Sequence, residues 1–296
     1  MGSPADDSGN GAAFVFHRKN NIWSQMAKLV GTDNIGAAAQ GWSVAISKNA
    51  KTIASGGISD NGTRGAVWIF TRKTDIWLQD AKLFGLNGEV LSSQGWSVSL
   101  SGNGMTLAEG GPGINASPDV GAVWIFKKNP ISGAWNEGEK LVSLEDNIFL
   151  QGISVSLDCL GELLAVGAPG EASGFVLIYE QCKNKWRRFG NPIKGPLDSG
   201  FGESVSLSSG GKLLAVGAPF DNNNFGATYI YIKNECKYLQ LQTVTGSAAG
   251  NPFQGRSISL SANAATLAVG GEGDINNSGG TTQGKTWIFE IETQEC

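Results

Sequence analysis

Gln40-Gly41-Trp42-Ser43-Val44 is a phrase that returns four more times, as Gln94-Gly95-Trp96-Ser97-Val98, Gln151-Gly152-Ile153-Ser154-Val155, Phe201-Gly202-Glu203-Ser204-Val205 and Gln254-Gly255-Arg256-Ser257-Ile258. The copies begin 54, 57, 50 and 53 residues apart, and self-similarity at such a period marks a repeat architecture. Each copy leads through a polar turn to a second apolar run ending near glycine or proline, at 53–57, 107–111, 163–169, 213–219 and 267–271. After a loop rich in Gly, Asn and Asp comes a third run, at 11–16, 65–70, 121–126, 174–179, 226–231 and 284–289. A fourth follows at 22–29, 76–83, 134–141, 185–194 and 238–244, often with tryptophan. These runs are short, β-branched or aromatic, and bounded by turn residues, which is a strand signal four times per period.

A four-stranded sheet cannot bury both faces alone, so its copies must stack, radially as a propeller or linearly as a solenoid. A period near 50 with four strands is the propeller spacing. The expectation is therefore an all-β propeller of four-stranded antiparallel blades, about five blades drawn from five to six repeats. It forms one domain over 1–296, with repeats at 41–94, 95–151, 152–201, 202–254 and 255–296 plus 1–40. Gly2-Ser3-Pro4 aligns with the end of a second strand. Two arrangements stay open: five closed blades, with 22–29 serving as outer strand beside 285–291, or a piece of a larger propeller. In the first, the third-strand phrase at 12–16 has no place.

Phe201-Gly202 followed by Gly217-Ala218-Pro219, with Gly167-Ala168-Pro169 repeating the second half, resembles the FG-GAP repeat of integrin α-chain propellers. Trp23-Ser24-Gln25 with Lys28-Leu29, and Trp77-Leu78-Gln79 with Lys82-Leu83, look like the variant found in bacterial and other FG-GAP proteins. The resemblance implies a propeller whose first strand is innermost, which binds ligands through loops on one face, and whose setting is extracellular or cell-surface. It departs from the calcium-binding members at one place. Their hairpin between first and second strands is an Asp-rich loop, because Ca²⁺ takes six to eight oxygens. The turns here, 47–52, 101–106, 158–162, 208–212 and 261–266, are short and nearly free of carboxylate, so that site is not carried over.

The 43 glycines suit many tight turns, since glycine takes positive φ without steric cost. A formal charge of −4 without a Lys/Arg-rich run argues against nucleic acid, where neutralising charge supplies most of the affinity. No run approaches the roughly 20 apolar residues needed to cross a bilayer, so membrane insertion is not expected. Cys159, Cys182, Cys236 and Cys296 are too widely spaced for a metal motif or a dense disulfide framework.

For chemistry, the sole histidine, His17, has no fixed acid or nucleophile beside it and reads as a solvent-facing turn residue. A propeller glycosidase needs two converging carboxylates. Of the residues opening the inner strands only Glu203 is acidic, its equivalents being Trp42, Trp96, Ile153 and Arg256. No catalytic residue and no cofactor are expected. Acidic and amide residues cluster after the second strands, at 6–10, 60–61, 115–119, 221–224 and 274–277. They could hold Ca²⁺, but their unequal spacing favours turn formation. Asn61, Asn115 and Asn276 fit the glycosylation pattern. Tryptophans 68, 124 and 287 and tryptophans 23, 77, 135 and 186 recur inside strands, as blade packing requires.

Trp42 and Trp96 instead open inner strands, where an exposed aromatic can stack on a ligand. The leading expectation is a non-catalytic binding platform for a protein or glycan. Its loops would be the inter-blade segments 30–40, 84–94, 142–151, 195–200 and 245–254 and those after the second strands. Its candidate ligand contacts are Trp42, Trp96, Glu203, Arg256, Asp33 and Asp198. The alternatives are a glycan-processing hydrolase, decided by whether Glu203, Asp198 and Asp33 converge, and a structural module of a larger surface or particle protein.

Overall fold

The computed structural model describes residues 1–86, 91–113, 120–136, 138–143, 148–170, 172–273 and 284–291. Its strands form six small antiparallel sheets, the blades of an all-β propeller. The chain divides into two compact units, Met1–Ser143 and Leu144–Cys296.

In Met1–Ser143 the first blade holds Gly2–Ser3, Ala12–Lys19 and Ile22–Leu29. The second is Gln40–Ile46, Thr52–Gly57, Ala66–Lys73 and Ile76–Leu83. The third is Ser97–Leu100, Thr106–Gly111, Ala122–Lys127 and Glu139–Leu141. In Leu144–Cys296 the fourth blade runs Ser154–Leu157, Leu163–Ala168, Ser173–Cys182 and Lys185–Arg188, with Ile193–Leu197 also paired to Ser173–Cys182. The fifth is Ser204–Leu207, Leu213–Ala218, Ala227–Lys233 and Tyr238–Val244. The sixth is Ser257–Leu260, Thr266–Gly271 and Lys285–Glu290.

Blade order settles the surplus third strand. Ala12–Lys19 is the centre of its own sheet, paired with Ile22–Leu29 from Ala13↔Leu29 to Lys19↔Ile22. Of the two arrangements left open, the one that gives 22–29 to the last blade is not the one adopted: a short hairpin pairs locally before a distant edge can compete for it.

The repeated phrase has a physical reading, residue by residue. The amide of Gln40 stitches the loop before it, its Oε1 accepting from Gly31 N at 2.6 Å and its Nε2 donating to Gly31 O at 3.0 Å. Gln94 does the same with Gly85 at 2.6 and 3.2 Å. Phe201, standing where glutamine stands elsewhere, packs over Gly195 instead. The next residue must be glycine. Gly95 has φ +81° and a Cβ there would lie 2.5 Å from Ala66 O, a conformation and a clearance only glycine tolerates. The serine then joins blade to blade: Ser43 Oγ donates to Gly95 O at 2.7 Å, and Ser204 Oγ to Gly255 O at 2.7 Å.

Apolar side chains fill the spaces between neighbouring blades. Ala54, Val67 and Ile69 of the second blade meet Leu107, Trp124 and Phe126 of the third. Leu163 and Ala165 of the fourth meet Val205 and Leu207 of the fifth. The third-strand tryptophans lie over loop glycines and keep their N–H satisfied, Trp68 Nε1 donating to Thr32 O at 2.8 Å and Trp287 Nε1 to Ser247 O at 2.9 Å, as buried indoles require.

Candidate functional site

The first-to-second strand turns are closed by the chain's own backbone and side chains. Ser47 Oγ accepts from Thr52 N at 3.0 Å, and Ser101 Oγ from Thr106 N at 2.9 Å. Asp158, the carboxylate at the equivalent place in the fourth blade, accepts from Glu162 N and Leu163 N at 2.8 and 3.0 Å.

The acidic loops after the second strands are likewise engaged from within. Buried Asp60 accepts from Ile35 N at 2.8 Å and pairs with Lys82 at 2.7 Å. Asp221 accepts from Tyr229 OH at 2.6 Å and from Asn222 N at 2.8 Å, while Asp6 pairs with Lys28. These loops turn through left-handed residues such as Asn61 and Asn222, the conformation that Asn and Asp tolerate. The loops at 115–119 and 274–277 lie outside the described residues.

Asp60 also ties an inter-blade loop to the loop after a second strand. Asn61 N donates to Ile35 O at 2.9 Å and Ser59 N to Ala38 O at 3.2 Å. In the other unit Phe220 N donates to Ser199 O at 3.0 Å and Asp198 N to Ala172 O at 2.7 Å. In each unit these bonds join an inter-blade loop to a loop after a second strand.

Each unit carries one cluster of the expected site residues. In Met1–Ser143 the indoles of Trp42 and Trp96 meet with centroids 4.9 Å apart and planes at 50°, Trp42 exposed and Trp96 half-buried. Both sit just after the left-handed glycine of the phrase, so the backbone that joins the blades also sets the rings.

In Leu144–Cys296 the equivalent positions hold an ion pair. Arg256 Nη1 lies 2.7 Å from Glu203 Oε1, and its Nε lies 3.6 Å from Glu272 Oε1. Burial raises the Glu203 carboxyl above the ordinary carboxylate range; Arg256 opposes this and the Glu272 charge adds to it. Glu203 and Asp198 also line one cavity of about 370 Å³, together with Leu150, Pro169, Gly170, Gly200 and Phe220.

Asp33 lies in the first unit, exposed and left-handed. Its side chain accepts only a long bond from Thr32 Oγ1 at 3.4 Å, and its carbonyl takes Lys82 Nζ at 2.6 Å, so it belongs to neither cluster. His17 is an exposed residue within Ala12–Lys19 rather than in a turn, 3.4 Å from Ser24 Oγ. Glu272 and Phe220 are contributors that the sequence reading passed over. The only signal for Glu272 was an acid directly after the Gly270-Gly271 end of a second strand, where Pro169 and Pro219 stand in other copies.

No protein-family model matches the chain, and no curated protein matches it. Solved structures do. A candidate 6-phosphogluconolactonase from Bacteroides uniformis superposes with TM-score 0.63 at 12% identity, over 96% of this chain and 80% of that one. One from Bacteroides fragilis gives 0.61 at 12%, over 96% and 79%, and Kuenenia stuttgartiensis hydrazine synthase gives 0.59 at 11%, over 89% and 65%. At such identities the likeness shows the propeller fold and no activity.

Proposed function

We propose that the protein is a non-catalytic binding propeller whose inter-blade loops and the loops after its second strands recognise a protein or glycan. The Trp42–Trp96 pair, Trp42 exposed and Trp96 half-buried, carries this reading. Two tilted rings in contact offer an apolar surface, and rigid aromatics bind at low cost in conformational entropy. The resemblance to FG-GAP repeats, which use the same loops, supports it by analogy only. The hydrogen bonds that the Asp60 carboxylate accepts from Ile35 N and the Ser199 carbonyl from Phe220 N tie those loops together, as a recognition surface benefits from being pre-organised.

The test is binding of the purified chain to a glycan array and to a panel of extracellular protein domains. Specific binding that falls tenfold or more in Trp42→Ala or Trp96→Ala supports the reading. Retention of full binding in both variants sinks it.

A second reading rests on the shared cavity of Asp198 and Glu203. A carboxyl raised by burial beside a second carboxylate is the arrangement of a general acid and its partner. Against it stands the Arg256 guanidinium, which pairs with Glu203 and draws it back toward the ionised state. Turnover of a glycoside that vanishes in Glu203→Gln and in Asp198→Asn would establish this reading in place of the first.

A further inference from the structure

Positive charge is unevenly spread over Leu144–Cys296. Of its ten lysines and arginines, seven (Lys183, Lys185, Arg187, Arg188, Lys212, Lys233 and Lys237) fall on the fourth and fifth blades at the end away from the inter-blade loops. Hydrogen bonds gather the turns of that end. Gln181 N donates to Glu162 O at 2.7 Å, Lys233 N to Lys212 O at 2.8 Å, and Cys159 N of the fourth blade to Ser209 O of the fifth at 2.9 Å. Gly190 lies against Lys237, and Lys233 Nζ stands 4.7 Å from the centre of the Phe189 ring.

In Met1–Ser143 the strand cations find carboxylates: Lys28 pairs with Asp6, Arg72 with Asp75, Lys82 with Asp60 and Lys128 with Asp80. Among the described residues no carboxylate pairs with Lys183, Lys185, Arg187, Lys212, Lys233 or Lys237. The acids of this end are Glu162, Glu180 and Glu235, with Asp158 buried and engaged by its own turn. Charges on an outer strand guard it against pairing with another chain. That task does not explain the patch, because Ile22–Leu29 and Ile76–Leu83 carry one lysine each and Tyr238–Val244 none, and Lys183, Lys212, Lys233 and Lys237 lie off the outer strands.

An apolar side chain projects from the same end. Leu160 is 68% exposed in the turn that bonds to Ser209. The other first-to-second strand turns place Asn49, Asn103, Gly210 and Asn263 there, and each asparagine closes its own turn. Asp158 does that work in the fourth blade, so no local bond calls for leucine.

We infer that this end of the fourth and fifth blades docks on an anionic lipid surface, its cations meeting the headgroups and Leu160 entering the acyl boundary without crossing it. A single-stranded nucleic acid would need exposed rings for its bases, and Trp186, Phe189 and Tyr238 are buried. A duplex or a sulfated glycan would answer the charge and leave Leu160 in water; a bilayer interface takes both. The docking end shares no loop with the recognition surface proposed above and does not rest on it.

The test is co-flotation of the whole chain with phosphatidylcholine vesicles, with and without phosphatidylserine. Partitioning should be at least about tenfold stronger on the serine-bearing vesicles. It should be lost as salt rises from about 0.1 to about 1 M, which shortens the Debye length from about 10 to about 3 Å. Lys183→Glu combined with Lys237→Glu changes two fully exposed residues, so Tm should hold while binding falls at least about tenfold. Leu160→Asn, which installs the residue of the other turns, keeps the charge and should weaken binding several-fold. Equal binding to both vesicle types overturns the inference, as does wild-type binding by either variant. So does capture by heparin or duplex DNA without binding to the anionic vesicles, since the partner is then a soluble polyanion.

Discussion

Replacing Glu109 with valine should stabilise this protein, and the structure says by how much and at which pH. Glu109 lies in Thr106–Gly111, paired with Val98 on one side and Trp124 on the other, and is completely buried. Neither carboxyl oxygen has a hydrogen-bond partner among the described residues. The equivalent positions of the fourth, fifth and sixth blades hold Val166, Val216 and Val269. Burial raises its pKa well above the ordinary 4.5, opposed in part by the Gly85 backbone. A carboxyl with a raised folded-state pKa is stabilising only relative to its ionised form. Its contribution is complete below the unfolded value and is lost as pH climbs from there toward the folded value, at about 1.4 kcal/mol per pH unit. Below that window the neutral acid still costs about 1–3 kcal/mol as an unsatisfied buried group. Glu109→Val should therefore gain about 1–3 kcal/mol at pH 4, or very roughly 2–10 °C in Tm, and more at pH 7. Glu109→Gln removes the titration while keeping the size, so its stability should lose this slope against pH. Urea melts of the three proteins at half-unit steps from pH 4 to 8 measure both effects. Wild type and Glu109→Gln with parallel pH profiles, or a less stable Glu109→Val, would refute the reasoning.

Three further outcomes follow from named contacts. Gln94→Ala removes two hydrogen bonds to Gly85 in a buried site and should cost about 2–4 kcal/mol, summing bonds of about 1 kcal/mol with the penalty for groups left unpaired, read as a fall in the urea midpoint. Gly95→Ala forces a Cβ into positive φ against Ala66 O and should cost more than about 1–3 kcal/mol; a variant as stable as wild type would show that the blade junction is looser than its geometry. At alkaline pH, burial pushes Tyr231 up to about 12 and also raises Tyr229 and Tyr238, with Asp221 adding to the effect on Tyr229. Because the folded values are raised, stability should hold up to about pH 10 and then fall, by about 1.4 kcal/mol per pH unit for each of the buried rings Tyr231 and Tyr238 and by less for the partly exposed Tyr229; ultraviolet titration should show the two buried rings ionising only as the fold is lost.

The fold was legible because the phrase that repeats is the phrase that builds the junctions. Gln40, Gly41 and Ser43 recur because each has one mechanical task, and a task performed once per blade leaves a period in the sequence. The sheet that Ile22–Leu29 joins stayed open for the opposite reason. Strand phrases carry no label for the sheet they join, and only pairing to Ala12–Lys19 decides it. The candidate site divides along the same line. Trp42 and Trp96 could be named as a pair because both stand one residue after the repeat's glycine, whereas Glu272 reaches Arg256 from a loop whose composition varies between copies. Deviations from the repeat thus carry the individual chemistry. Tryptophan, glutamate and arginine at the inner-strand openings, and a glutamate where other blades place valine, are departures from a pattern that would otherwise bury or omit them. A residue the common architecture explains needs no ligand. The positions where that explanation fails, Trp42, Glu203 and Glu109, are where substitutions will separate recognition from stability.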